Sequence, residues 1–137
     1  MEANSNVFVC ALLAGDYPQS RLLIHEVFRS AGWRLYEAKA RRQALDCLAQ
    51  HPVHVVMARC DSLHWPWRSV LHDLRQMVRP PQLIVTTHAT DAALWAEVLN
   101  RGGYDVLVEP FQREEVARVV AAARRHWDGT RARAASS

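Results

Sequence analysis

The hydrophobic positions of this chain follow two rhythms that take turns along its length. Residues 7–14 (Val-Phe-Val-Cys-Ala-Leu-Leu-Ala) are apolar almost without a break, and residues 54–61 carry Val55, Val56, Met57 and Ala58 before an abrupt switch to Arg59 and Asp61. Short continuous apolar runs bounded by turn residues predict strands of a parallel sheet covered on both faces. Residues 82–87 and 104–108 repeat the pattern, and 33–38 gives a partly exposed strand because Arg34 and Glu37 interrupt it. Between these runs the apolar residues recur at helical spacing. Leu23, Ile24, Val27, Phe28 and Ala31 mark a helix over 20–31, and Ala44, Leu45 and Leu48 mark one over 40–50. Val70, Leu71, Leu74, Met77 and Val78 form a stripe after Pro66, and Leu94, Val98 and Leu99 form another after Thr90 or Asp91. Val116, Val119, Val120, Ala123 and Trp127 give the last, over 112–127. Pro66 sits well in a first helical turn, while Gly32, Pro80-Pro81 and Gly102-Gly103 read as stops.

Five strands alternating with five helices imply right-handed crossovers and a parallel sheet with helices on both faces. The expected architecture is a flavodoxin-like (βα)5 three-layer sandwich with strand order 2-1-3-4-5. Its switch point lies between the first and third strands, so the loops after Ala14 and Arg59 should face each other there. Residues 1–127 make one domain. The stretch 128–137 has no periodicity and is expected to be a linker or disordered tail.

Composition narrows the function. Half of the residues are hydrophobic and 23% are charged, as in a soluble globular protein. No apolar run approaches the roughly 18 residues that span a bilayer, and Met-Glu-Ala-Asn-Ser-Asn lacks the basic start of a signal sequence. Three scattered cysteines (Cys10, Cys47, Cys60) suit a reducing interior, so the expected location is cytoplasmic. The net charge of +3 is spread over separate helices and the tail, without a basic stripe that would grip nucleic acid. His54, Cys60 and His64 match no zinc spacing. No nucleophile motif or glycine-rich phosphate loop occurs, which argues against an enzyme.

One stretch is more specific. Gly102-Gly103-Tyr104-Asp105-Val106-Leu107-Val108-Glu109-Pro110-Phe111 resembles the Gly-Ala-x-Asp-Tyr-Leu-x-Lys-Pro-Phe of two-component receiver domains, with glutamate in place of lysine. Gly15-Asp16-Tyr17-Pro18 followed by Arg21 is similar to that family's Asp-Asp-x-Pro-x-x-Arg, with its first acid missing. Thr86-Thr87-His88 resembles the Thr-Ala that closes the fourth strand. In the right order, with the right elements between them, the three pieces cover about residues 6–127.

The resemblance implies a fold, a pocket and a signalling role, and it also shows what the pocket lacks. The family holds Mg²⁺ on two first-loop acids and a phosphoryl-accepting aspartate, and Mg²⁺ wants an octahedron of oxygens. Metal and lysine offset charge on the transferred phosphoryl group. Here the first acid matches Gly15, and Asp16 remains. The acceptor matches Arg59 or Ala58, the lysine matches Glu109 before Pro110, and the threonine is Thr86 or Thr87. The switch aromatic matches Val106. Mg²⁺ is therefore expected to bind weakly or not at all, and Arg59 is expected to pair with Glu109, Asp16 or both. The implied function is a degenerate receiver that signals by protein–protein contact, as the regulatory domain of a larger regulator whose DNA binding, if any, lies in an output domain. Two alternatives accompany it: a phosphorelay receiver using Asp61 as displaced acceptor, and a small-anion sensor. Trp65 and Trp67 can form either a lid packed over the emptied pocket or an exposed anchor; on the second reading Trp65, Trp67, Trp95 and Val106 are the candidate partner contacts, and a homodimer would use the fourth helix, fifth strand and fifth helix.

Overall fold

The computed structural model describes residues 7–136, with side chains through Thr130. Its elements alternate throughout: β1 (Cys10–Ala14), α1 (Arg21–Ala31), β2 (Arg34–Ala38), α2 (Arg41–Gln50), β3 (Val55–Arg59), α3 (Trp67–Arg75), β4 (Gln82–Thr87), α4 (Ala92–Arg101), β5 (Asp105–Val108) and α5 (Arg113–Ser136). The strands form one parallel sheet in the order β2-β1-β3-β4-β5, as the pattern predicts. Residues 1–6 of the expected domain and residue 137 of the expected tail lie outside the described residues.

Strand alternation divides the core in two. Ala11, Leu13, Val55, Met57, Ile84 and Leu107 pack with Ile24 and Phe28 of α1 and Val116 and Val120 of α5. Leu12, Ala14, Val56, Ala58, Leu83 and Val85 turn the other way, onto α2, α3 and α4 through Leu48, Leu74 and Val98. Side chains two apart share a face. Extending the first set by one step therefore puts Arg59 and Thr86 on the α1–α5 side, at the carboxyl edge of the sheet. The register pairs those two residues directly.

Local chemistry explains most boundaries. Gly32 and Gly102 close α1 and α4 in the left-handed region, at φ 72° and 104°. Asp91 caps α4 by accepting from the N–H groups of Ala93 and Leu94, at 3.0 and 3.2 Å. Three details differ from the sequence pattern. Helix α3 ends at Arg75, where Gln76 and Met77 tighten into short-range bonds to Asp73 and Leu74, and Val78 is fully exposed. Leu99 is also half exposed, so the α4 stripe is only partly core. Helix α5 runs on to Ser136, so residues 128–136 are helical where a linker or disorder is expected. Gly129 costs a helix interior only about 1 kcal/mol relative to alanine, and the alanines and arginines that follow are good helix formers.

Candidate functional site

Three loops meet at the carboxyl edge of the sheet: those after β1, β3 and β5, with the first residues after β4 beside them. Gly15 opens the first loop with φ 111°, and its missing Cβ faces the Arg59 stem, 3.7 Å away. Arg59 ends β3 and lies across the middle of the site. Its Nη1 donates to Glu109 Oε1 at 3.2 Å and to the Asp16 carbonyl at 3.3 Å. Its Nε donates to Asp61 Oδ1 at 3.0 Å, and its Nη2 meets His88 Nε2. One guanidinium thus ties together all four segments. Burial works against its charge, but the bond to Asp61 and the charges of Asp61 and Glu109 outweigh it and hold it more firmly protonated than usual. In return, the bond from Arg59 lowers the Asp61 carboxyl below its ordinary range.

Beneath this ion pair lies a second, uncharged link. Tyr17 is 1% exposed, its hydroxyl 2.8 Å from that of Thr86, and Arg59 stacks over its ring at 5.2 Å. Burial pushes the phenol well above its ordinary value, so it stays neutral. Glu109 is nearly buried as well. Its Oε2 accepts from the hydroxyl of Ser20, the residue that precedes α1. A serine in that place ordinarily caps its own helix. This one has no capping bond and serves Glu109 instead.

The structure resolves two choices left open by the sequence. Arg59, not Ala58, faces the site; Ala58 is 1% exposed and packs in the opposite core layer. Of the threonines, Thr86 bonds Tyr17, whereas Thr87 turns to its own loop and accepts from the Ala89 N–H at 3.3 Å. Arg59 pairs with Glu109 as expected, but with Asp16 only through the backbone carbonyl. Pro110 follows Glu109 through a cis peptide bond. Tyr17, Ser20 and His88 belong to the site although sequence reasoning gave them no role. The signal for them was position alone, since Tyr17 and His88 stand inside the resembling stretches and Ser20 adjoins Arg21.

The partner contacts need correction. Trp65 and Trp67 are buried, at 5% and 1% exposure, and offer a partner no surface. Trp65 donates its indole N–H to Asp73 at 2.8 Å, which gives a loop tryptophan a reason to fold inward. Val106 is core at 5%. Only Trp95 stays accessible, at 39%, with its indole N–H 3.3 Å from Asp105.

The donor set fits a divalent cation poorly. At the positions where the resembling family gathers carboxylates, this chain keeps one, Asp16, beside a guanidinium bonded to the neighbouring loops, and the site's other two carboxylates, Asp61 and Glu109, are both engaged by that guanidinium. Among the described residues no group of three or more acids, histidines or cysteines converges on a point. An anion fares little better. The cavity of about 310 Å³ beside Arg59 sets Lys39 and Arg59 against Asp16 and Asp61, so its charges balance. A groove of about 390 Å³ between α2 and α3 holds Arg41 and Arg68, but each is doubly bonded to a carboxylate, Asp73 and Glu97 respectively.

A scan of the sequence against protein-family models finds no match, and a search of curated proteins finds none at significance. Solved structures do match. The signal receiver domain of an HD domain-containing protein from Pseudomonas fluorescens superposes with a TM-score of 0.79 at 22% identity, covering 91% of this chain and 93% of that one. The receiver domain of a Francisella response regulator gives 0.74 at 21% identity, over 86% and 98%. Full-length FixJ from B. japonicum gives 0.76 at 18% identity, with 87% of this chain matching 59% of that one. No helix among the described residues is long and apolar enough to cross a membrane. With its 2-1-3-4-5 sheet and five flanking helices, the chain has the fold of the response-regulator receiver domains.

Proposed function

We propose that this domain is a receiver-like signalling module that works by protein–protein contact, with a pocket occupied by its own side chains in place of metal and phosphoryl group. The observation that carries this reading is Arg59 at the end of β3, bonded at once to Glu109, Asp61 and the Asp16 carbonyl. An aspartate there would be a nucleophile; a guanidinium has no lone pair to attack phosphorus and repels a cation. What it can do is hold loops in one geometry. A buried bidentate or networked pair contributes little net stability but fixes position strongly. Tyr17 supports the same reading, since its bond to Thr86 occupies the hydroxyl that a phosphoryl group would otherwise engage.

The outward face for a partner is α4 with β5 and α5, where Trp95 and Leu99 are exposed. A second copy of the chain, or the output domain of a larger regulator, is the occupant that the resemblance implies. A DNA-binding role belongs to such an output domain and not to this one. Neither alternative gains support from the site. Asp61 is engaged by Arg59, and the charges around the cavity are balanced.

The test is a titration of the whole chain with Mg²⁺ and then beryllofluoride, a mimic of an acyl phosphate, followed by tryptophan fluorescence. Trp65 lines a small cavity together with Gly15 and Ser62, so it reports on the pocket wall. A flat response in both steps is the expected result. A saturable, metal-dependent change would show a working acidic site and overturn the proposal.

A further inference from the structure

His88 follows β4 immediately, is half exposed, and points its Nε2 between two groups of opposite charge. On one side is Arg59 Nη2, and on the other Glu109 Oε1 at 3.4 Å. A guanidinium can only donate. The contact with Arg59 therefore needs a lone pair on Nε2, which means a neutral ring with its proton on Nδ1. Adding a proton at Nε2 reverses both relations. The contact with Arg59 becomes cation against cation, and the new N–H can donate to Glu109.

The other groups around the ring favour an exchange over a collapse. From the turn after β3, Asp61 holds Arg59 by a separate bond and feels the His88 charge. From the loop after β1 come Pro18 and Gln19, which with Arg59, His88 and Glu109 line a cavity of about 140 Å³. Asp16 meets Arg59 through its carbonyl, and Tyr17 is buried and neutral. From the loop after β5 comes Glu109, anchored by Ser20. On its own segment Thr87 and the helix-capping Asp91 are both engaged locally. Two cations thus compete for one nearly buried carboxylate, and the loser has an exposed aspartate to retreat to.

We propose that the pocket is a proton-operated latch: protonation of His88 transfers Glu109 from Arg59 to His88 and moves Arg59 outward onto Asp61. The proton comes from solvent, Arg59 keeps its charge throughout, and no covalent bond changes. The bond from Arg59 to the Asp16 carbonyl and its stacking on Tyr17 are lost in the process, so the loop after β1 is freed. This rests on reading the pocket as filled by its own side chains, and gives that pocket an input other than phosphate.

The experiment is an NMR titration of the intact chain from pH 8 to pH 5, following the Arg59 Nε–H and the His88 ring. The expected result is one sigmoidal shift at Arg59 with the same midpoint as His88. In His88→Gln, whose amide oxygen still accepts from Arg59 but does not titrate, that shift should be lost while the other histidines titrate unchanged. Glu109→Gln should move the His88 midpoint to lower pH, because the protonated ring loses its partner. An Arg59 signal that stays flat through the His88 midpoint in the wild-type chain overturns the latch, as does a shift that survives in His88→Gln. Beryllofluoride with Mg²⁺ at a fixed pH of 7.5 tests the occupied pocket by itself. A saturable response there sinks both ideas, whereas a flat response with no pH coupling sinks the latch alone.

Discussion

The two ends of the sheet each enclose a histidine, and they treat it in opposite ways. At the carboxyl end His88 is half exposed among charges that can exchange partners. At the amino end His54 is 8% exposed and caged by rings, with Trp127 at 4.7 Å and Phe8 at 6.5 Å between centroids. Its Nδ1 accepts the Cys10 N–H at 3.0 Å, so it ties β1 to the residue leading into β3. Among the described residues no carboxylate is in direct contact with the ring, and Asp128 acts on it only from a distance. Burial first, and then the arginines Arg124 and Arg79, hold its pKa down at about 4. The contrast teaches that environment, not residue type, decides whether a histidine pins a fold or moves within it.

The sharpest way to break the comparison is to reverse charge at the carboxyl end. In Arg59→Glu, Glu109 would be left buried beside a like charge, and removing one partner of a buried pair costs about 3 to 5 kcal/mol. Combining it with Glu109→Arg should return more than half of the summed loss in a urea denaturation cycle. Strictly additive losses would mean that the two side chains do not depend on each other.

Acid should act at the other end. His54 has its folded-state pKa near 4, below the ordinary 6.5, so the unfolded chain binds the proton more readily. Its contribution is therefore complete above about pH 6.5 and lost as pH falls towards 4, by at most about 3 kcal/mol at 1.36 kcal/mol per unit. His54→Gln keeps an acceptor for Cys10 but cannot titrate. Its urea midpoint should fall less than that of the wild type between pH 6.5 and 4.5, and equal slopes would remove His54 from the account. A smaller effect belongs to Tyr17→Phe, which strands the Thr86 hydroxyl at a cost of about 1 to 2 kcal/mol. Adding Thr86→Val should bring most of that back, because both polar groups are then gone.

Much of this was readable beforehand, for definite reasons. Buried parallel strands are written as unbroken apolar runs, so Val55 to Ala58 and Leu83 to Val85 announced both the sheet and its double covering. The sign exchange between Arg59 and Glu109 was readable because Glu109 falls inside a recognisable motif and Arg59 closes the third buried apolar run. Tyr17, Ser20 and His88 were not, since their roles arise only where three loops converge in space. For Trp65 the sequence left a packed lid and an exposed anchor both open, because its burial depends on an acceptor eight residues away, Asp73, which the loop itself does not contain. The tail misled through Gly129, a weak helix breaker that its neighbours outvote.

The smallest expected effect is the one that separates the two arms of Arg59. Its arm to Glu109 reaches a side chain that is 5% exposed, while its arm to Asp61 reaches one that is 58% exposed. Solvent screens the second, and exposed pairs are worth about 0.2 to 1 kcal/mol. Asp61→Asn should therefore shift the urea midpoint only slightly, far less than Arg59→Glu. The same variant addresses the displaced-acceptor idea directly. If Asp61 carried a phosphoryl group, a small-molecule phosphodonor would leave a hydroxylamine-labile adduct on the wild-type chain and none on Asp61→Asn. We expect no such adduct on either. An aspartate held by the guanidinium that fills the pocket is then an anchor for Arg59, needed most when His88 takes Glu109 away.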